Sequence, residues 1–148
     1  MTSTRINEPL KLAPATMKAL AGAEAAIAAS GLDNNLLELV RLRASQMNGC
    51  AYCIHHHATL LRKAGEPEMR LYLLDGWREA TVYLPKERAA LAWTEALTKV
   101  ADTHAPDADY AELEEHFSEA ERVQLTLAIG VINVWNRVQI AFRVTNPE

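Results

Sequence analysis

The 148-residue sequence has only two cysteines, no surplus of positive charge and no long uncharged apolar run. Its formal net charge of -4 offers no basic surface for a phosphate backbone, so we expect no nucleic-acid binding. No uncharged apolar run approaches the roughly 18 residues that a membrane helix needs, and the first residues lack the apolar core of a signal peptide. These absences predict a cytoplasmic protein that does not bind a membrane.

Runs of β-branched residues and hairpin turn signals are also scarce, whereas helix-forming residues dominate. Pro14 opens a first helix that Ser30-Gly31 ends. Asp33 is a good N-cap for a second helix over residues 34 to 47, and a third helix runs from about Cys50 to Ala64-Gly65. The pattern predicts an all-α helical bundle in which residues 1–148 form a single domain.

The second half continues the helical pattern. It predicts a helix from Pro67 towards Leu74, a short piece from Trp77 to Tyr83, and a helix from Pro85 to about Val100. A loop over residues 102–109 and a short helix from Tyr110 to His116 follow. A long helix then begins at the capping box Ser118-Glu119-Ala120-Glu121 and reaches about Val144. This last helix is apolar nearly all round. A chain this short cannot easily surround it, so we expect a homo-oligomer.

The two cysteines, Cys50 and Cys53, are three positions apart. A secreted disulfide scaffold would spread its cysteines to connect distant segments, whereas a bridge across this pair closes a tiny loop and adds little stability. A close pair in a cytoplasmic protein points instead to redox chemistry or to a metal.

Three consecutive histidines follow the cysteines, and they are not equivalent. At about 100° per residue, Cys50, Cys53 and His57 share the apolar face of the third helix. His55 points almost the opposite way, to solvent, and His56 flanks the shared face. The spacing therefore predicts that His57 takes or relays the proton of a reactive thiol.

Three other interpretations compete with thiol chemistry. The cysteines could be small buried hydrophobes. They could bind zinc with His57 or His56, but a structural zinc site takes four ligands, often from separate segments, and these come from one helix. The pair could also serve a redox-sensing or assembly subunit without enzymatic activity. No phosphate-cradling glycine loop is present, so we expect no cofactor and no metal besides the redox-active pair Cys50–Cys53.

The stretch from Glu38 to His57 reads E-x(11)-C-x(2)-C-x(3)-H, with Asn48-Gly49 just before the first cysteine, and the segment Trp135-Asn136-Arg137-Val138 follows later. These motifs resemble the carboxymuconolactone decarboxylase superfamily, specifically its alkylhydroperoxidase D-like branch. The resemblance covers about residues 30 to 145, and residues 1–30 form an N-terminal helical extension.

The resemblance implies an all-helical trimer or hexamer that reduces organic hydroperoxides through a CxxC dithiol and is re-reduced by a dithiol electron donor protein. It gives Glu38, Cys50, Cys53 and His57 the catalytic positions, with Cys53 peroxidatic and Cys50 resolving. The helix-start argument favours Cys50 as the thiolate, because unpaired backbone N–H groups lie there. The two assignments stay open. The alternative function is a non-enzymatic redox-sensing or metal-binding helical protein.

Glu38 is assigned to the site by the resemblance. On the second helix it shares a polar stripe with Arg41 and Ser45, a pattern that is otherwise typical of a solvated face. As a partner for the second nitrogen of His57, it would orient the ring. Ser45 and Tyr52 are the predicted supporting residues. Tyr52 stands where some peroxidase members have a histidine, so an acid–base group is missing. The CxxC pair argues against lactone decarboxylation.

Overall fold

The computed structural model describes residues 3–145, and each regular element in that range is helical. Two short 3-10 helices, Pro9–Leu12 and Leu74–Gly76, accompany the α-helices. The α-helices are α1 (Pro14–Ala28), α2 (Asn34–Asn48), α3 (Ala51–Lys63), α4 (Glu68–Tyr72), α5 (Pro85–Thr98), α6 (Val100–Thr103), α7 (Asp107–His116) and α8 (Glu119–Phe142). The predicted all-α fold is confirmed.

Several predicted helix ends are confirmed by their capping geometry. The Asp33 carboxylate accepts the Leu36 N–H at 2.8 Å at the start of α2. Ser118 and Glu121 form the predicted capping box at the start of α8, where the Ser118 N–H donates to Glu121 Oε2 at 2.8 Å. Such caps satisfy backbone groups that the helix itself leaves unpaired, each stabilising the fold by about 1 kcal/mol.

Two predicted segments were wrong. Trp77 to Tyr83 forms turns, because side chains bind its backbone: Arg88 donates to the carbonyls of Trp77 and Ala80 at 2.8 and 3.0 Å. Residues 102–109 are not one loop, since α6 extends to Thr103 and α7 begins at Asp107. Asp107 follows Pro106 and lies in the first turn of α7, where a carboxylate is favoured by the helix dipole.

The core forms around α2, which packs against α3, α5 and α8. One face of α8 points into the core, and its buried residues recur at helical spacing. One large cluster joins α1, α2, α5, α7 and α8 through residues such as Leu37, Val40, Trp93, Leu113 and Ile129. A second cluster lies under α3 and α4, and a small third cluster surrounds the cysteines with Ala44 and Ile132. Helix α2 thus contributes side chains to all three clusters, including Ala44 beside the cysteine pair.

The outer face of α8 is apolar as well. Val123, Leu127 and Val134 lie on this face and are 58%, 51% and 43% exposed. By length and composition α8 would suffice to cross a membrane, a weak signal that core helices also give. Its buried face, which includes Leu125, accounts for only part of its apolar residues. The outer face therefore remains without a partner within residues 3–145.

Candidate active site

A tight turn after α2 places Cys50 at the N-terminus of α3. Gly49 adopts a left-handed conformation with φ of 68°, which glycine reaches without strain. The Gly49 and Cys50 N–H groups return to the carbonyls of Gln46 and Ser45 at 3.1 and 3.0 Å. Cys50 is consequently the N-cap of α3, one position before the first helical residue.

The two sulfurs share the start of α3. The Cys53 N–H donates to Cys50 Sγ at 3.4 Å, and the side chains are 1% and 3% exposed. A hydrogen bond from the Cys53 thiol lowers the pKa of Cys50 to about 7 against the opposing effect of burial. The same hydrogen bond, together with burial, raises the pKa of Cys53 well above its usual range. When the pair loses one proton, the negative charge therefore lies on Cys50 and the remaining proton on Cys53.

His57 is fixed by a carboxylate from α2. Glu38 Oε2 lies 2.6 Å from His57 Nδ1, and Glu38 Oε1 accepts from Arg41 Nη1 at 2.6 Å. A carboxylate at Nδ1 makes that nitrogen the proton donor. His57 Nε2 has no hydrogen-bond partner in the described part of the chain, so it is free to exchange a proton with a bound molecule.

A second carboxylate extends this chain of contacts to α1. Arg41 Nη2 donates to Glu24 Oε2 at 2.5 Å, so the guanidinium lies between Glu24 and Glu38. Burial would raise the pKa of Glu38, but the hydrogen bond and charge of His57, followed by Arg41, outweigh burial and lower it. Glu38 is therefore an anion near neutral pH. The N-terminal extension contributes to the site, which the sequence alone did not indicate.

These groups line a cavity of about 380 Å³, here called the Cys53 pocket. Its chemically reactive groups are Cys53, His57 and Glu38. Apolar side chains from α1, α3, α8 and the first 3-10 helix form most of the remaining wall. The lining also includes Leu10, Ala21, Glu24, Arg41, Tyr52, His56, Leu60, Ile132, Trp135 and Gln139.

A buried amide network supports the cysteines from α8. Asn136 is 1% exposed; its Nδ2 donates to Ser45 Oγ at 3.0 Å and its Oδ1 accepts from Asn48 Nδ2 at 2.8 Å. A hydrogen bond from Asn136 also lowers the pKa of both cysteines. Ser45 thus supports the cysteines through Asn136, and its Oγ also donates to the Arg41 carbonyl at 2.7 Å.

The structure brings Glu38, Cys50, Cys53 and His57 together, with Tyr52 and Ser45 beside them. His55 is exposed and His56 lines the pocket, as predicted from the helix faces. Sequence reasoning did not assign the polar residues Glu24, Asn136 and Gln139 to the site. The polar residues of α8 were a sequence signal for this face. Asn136 lies four residues after Ile132, and Gln139 lies three residues after Asn136, on an otherwise apolar helix.

Residues 3–145 contain no set of side chains arranged as metal ligands. No group of three or more His, Cys, Asp or Glu side chains converges there in a way that could hold an ion. Cys50, Cys53 and His57 come from successive turns of a single helix, which is poor geometry for a tetrahedral site.

Comparison with known proteins gives one family. The sequence model of the carboxymuconolactone decarboxylase family matches residues 13–96. The uncharacterized protein YdfG of Bacillus subtilis is 41% identical over 131 residues, which are 88% of this chain and 89% of YdfG.

Solved structures of other proteins share this fold. An Agrobacterium tumefaciens protein of unknown function, described as a proposed antioxidant defence protein AhpD, is 43% identical, with a TM-score of 0.94 and 99% of each chain covered. The debrominase Bmp8 is 20% identical, with a TM-score of 0.81 over 93% of this chain and 74% of its own. At that identity, the likeness to Bmp8 concerns the fold alone.

Proposed function

The chain belongs to the carboxymuconolactone decarboxylase family, in its alkylhydroperoxidase D-like branch, and from that premise we propose that it reduces organic hydroperoxides with the Cys50–Cys53 dithiol. The observation that carries the proposal is the convergence of Cys53, His57 and Glu38 on one largely apolar pocket. An apolar wall suits the organic part of a hydroperoxide, and the thiol and imidazole suit its O–O bond.

The first step oxidises Cys53. Its proton passes to His57 as the sulfur attacks the terminal oxygen of the hydroperoxide. The O–O bond breaks, His57 returns the proton to the departing alkoxide, and Cys53 becomes a sulfenic acid while an alcohol leaves. Glu38 stabilises the protonated ring of His57 during the transfer, because its carboxylate is an anion 2.6 Å from Nδ1.

The second step forms the disulfide. The Cys50 thiolate attacks the Cys53 sulfur, the S–S bond forms, and hydroxide leaves and is protonated to water by a solvent proton that passes through His57. The dithiol has then lost two electrons and the hydroperoxide has gained them. An external dithiol restores both thiols and is itself oxidised to a disulfide. This order uses Cys53 as the peroxidatic residue and Cys50 as the resolving residue, with the low pKa of Cys50 serving resolution.

Consumption of cumene hydroperoxide, with dithiothreitol as reductant, tests the proposal. We expect Cys53→Ser to abolish turnover and Cys50→Ser to stop after one equivalent, with a sulfenic acid that dimedone traps. His57→Ala should lower the rate by about 100-fold, whereas the exposed neighbour His55→Ala should leave it unchanged. Intact mass of the wild type should show the loss of two hydrogens after one equivalent. Unchanged turnover in both cysteine variants would contradict the proposal.

We also propose that the protein assembles as a homo-oligomer, a trimer or a hexamer. Support comes from the outer face of α8, where Val123, Leu127 and Val134 are about half exposed at helical spacing. Light scattering after size exclusion measures the assembly. We expect Leu127→Lys to shift it towards monomer, because a charge would be buried in the interface.

A further inference from the structure

The cysteine pair is reached from two sides. Cys53 lines the Cys53 pocket, and Cys50 lines a second cavity of about 370 Å³, here called the Cys50 pocket. Tyr52 and Gln139 line both cavities and therefore form the partition between them. The Cys50 pocket is otherwise formed by Gly49, Ala51, Ile140, Arg143, Val144 and Thr145. One cysteine thus lines each cavity.

The two cavities differ in charge. Two carboxylates, Glu24 and Glu38, and one guanidinium, Arg41, line the Cys53 pocket. Arg143 is the one charged residue that lines the Cys50 pocket; it is exposed, and it has no acidic partner among residues 3–145. Arg5 adds a second positive charge nearby, since its Nη1 donates to the Ala141 carbonyl at 3.1 Å. A negatively charged molecule is therefore favoured on the Cys50 side.

We propose that the reducing dithiol enters through the Cys50 pocket, forms its mixed disulfide with Cys50, and is carried by a negatively charged molecule that Arg143 attracts. This inference rests on the proposed function only in that both use the Cys50–Cys53 disulfide. It gives the oxidant and the reductant separate entrances, the hydroperoxide at Cys53 and the dithiol at Cys50.

The exchange balances in two steps. A thiolate of the reductant attacks Cys50 Sγ, the protein S–S bond breaks, and Cys53 leaves with a proton from His57. The second thiol of the reductant then attacks the sulfur bound to Cys50, giving the reductant disulfide and a free Cys50 thiolate. The Cys50 thiolate leaves readily in this second step, because its pKa is about 7.

Entry at Cys53 would be less favourable for the same reactant. An attacking thiolate in the Cys53 pocket would approach the Glu38 carboxylate, which His57 and Arg41 only partly compensate. Each route expels both cysteine sulfurs once, so leaving-group ability does not distinguish the two routes. The charges that line the two cavities favour entry at Cys50.

A trapping experiment identifies the attacked sulfur. The full chain is oxidised with diamide, mixed briefly with 2-mercaptoethanesulfonate, and quenched with excess N-ethylmaleimide near neutral pH, which labels the released thiol before it can attack the adduct. Chymotryptic cleavage after Tyr52 separates Cys50 from Cys53, so peptide masses assign the two adducts. We expect the sulfonate adduct on Cys50 and the maleimide on Cys53. The sulfonate adduct on Cys53 would overturn the inference.

A second measurement tests the role of Arg143. In Cys53→Ser protein, Cys50 should react faster with the dianionic 5,5′-dithiobis(2-nitrobenzoate), relative to neutral 2,2′-dithiodipyridine, than Cys53 does in Cys50→Ser protein. Added to Cys53→Ser, Arg143→Gln should lower this ratio by roughly two- to fivefold, whereas Arg143→Lys and the exposed control Lys63→Gln should keep it. A ratio unaffected by Arg143→Gln would overturn the charge argument. Neither measurement uses a peroxide, so each can fail or succeed independently of the proposed peroxidase activity.

Discussion

Glu38 Oε2 and His57 Nδ1 lie 2.6 Å apart, joining a carboxylate of α2 to the imidazole of α3. The contact leaves His57 Nε2 for proton transfer in the Cys53 pocket. We expect Glu38→Gln to lower peroxide turnover by about tenfold or more, because an amide cannot stabilise the protonated ring. Steady-state rates across pH measure this effect. Turnover equal to the wild type would contradict a relay through Glu38.

The same carboxylate predicts a pH dependence of stability. Because the pKa of Glu38 is lower in the folded protein than its ordinary value of 4.5, its contribution to folding is complete above about pH 4.5. It is lost as the pH falls through the lower folded value. Urea unfolding at several pH values should therefore show a shallower acid dependence in Glu38→Gln. An identical acid dependence in both proteins would show that this pair does not couple to folding.

Cys50 should titrate near neutral pH. Thiolate absorbance at 240 nm should rise with a pKa of about 7 in the reduced protein. Cys53→Ala removes the hydrogen bond that lowers this pKa most, so the pKa should move towards the ordinary 9.0. As a control, Cys50→Ala should show no thiolate titration near pH 7. A pKa that stays near 7 in Cys53→Ala would assign the effect to the helix N-terminus instead.

Asn136 should matter for both stability and thiol acidity. Asn136→Leu keeps the side-chain size but removes one buried hydrogen bond each from Ser45 and Asn48, which costs about 1–3 kcal/mol of unfolding free energy. It should also raise the pKa of Cys50. Gln124→Leu, the same kind of change at a half-buried position of α8, is the control for urea unfolding and should shift the unfolding free energy by less than about 0.5 kcal/mol.

Tyr52 stands between the cysteines and lines both pockets. Tyr52→His would add an acid–base group beside Cys53, so we expect peroxide turnover to rise severalfold near neutral pH. Tyr52→Phe, which keeps the ring and removes only the hydroxyl, should leave turnover close to the wild type. A drop in both variants would mean that the tyrosine hydroxyl itself takes part in the chemistry.

The sequence by itself determined the local structure of the site. Asn48-Gly49 requires a break after α2, because glycine adopts the left-handed turn without strain. Helical spacing then places Cys50, Cys53 and His57 on one buried face, and all three are buried. Helix caps at Asp33 and Ser118 were equally readable, since capping depends on residues within one turn.

Only the tertiary structure decided what faces the dithiol from other helices. Glu38 is nineteen positions from His57 and Glu24 is seventeen from Arg41, so their contacts depend on how α1, α2 and α3 pack. The separate cavities at Cys50 and Cys53 likewise depend on where α8 lies, because Gln139 lines both. Periodicity within one helix indicates which face is buried, but it does not indicate which side chains of other helices contact that face.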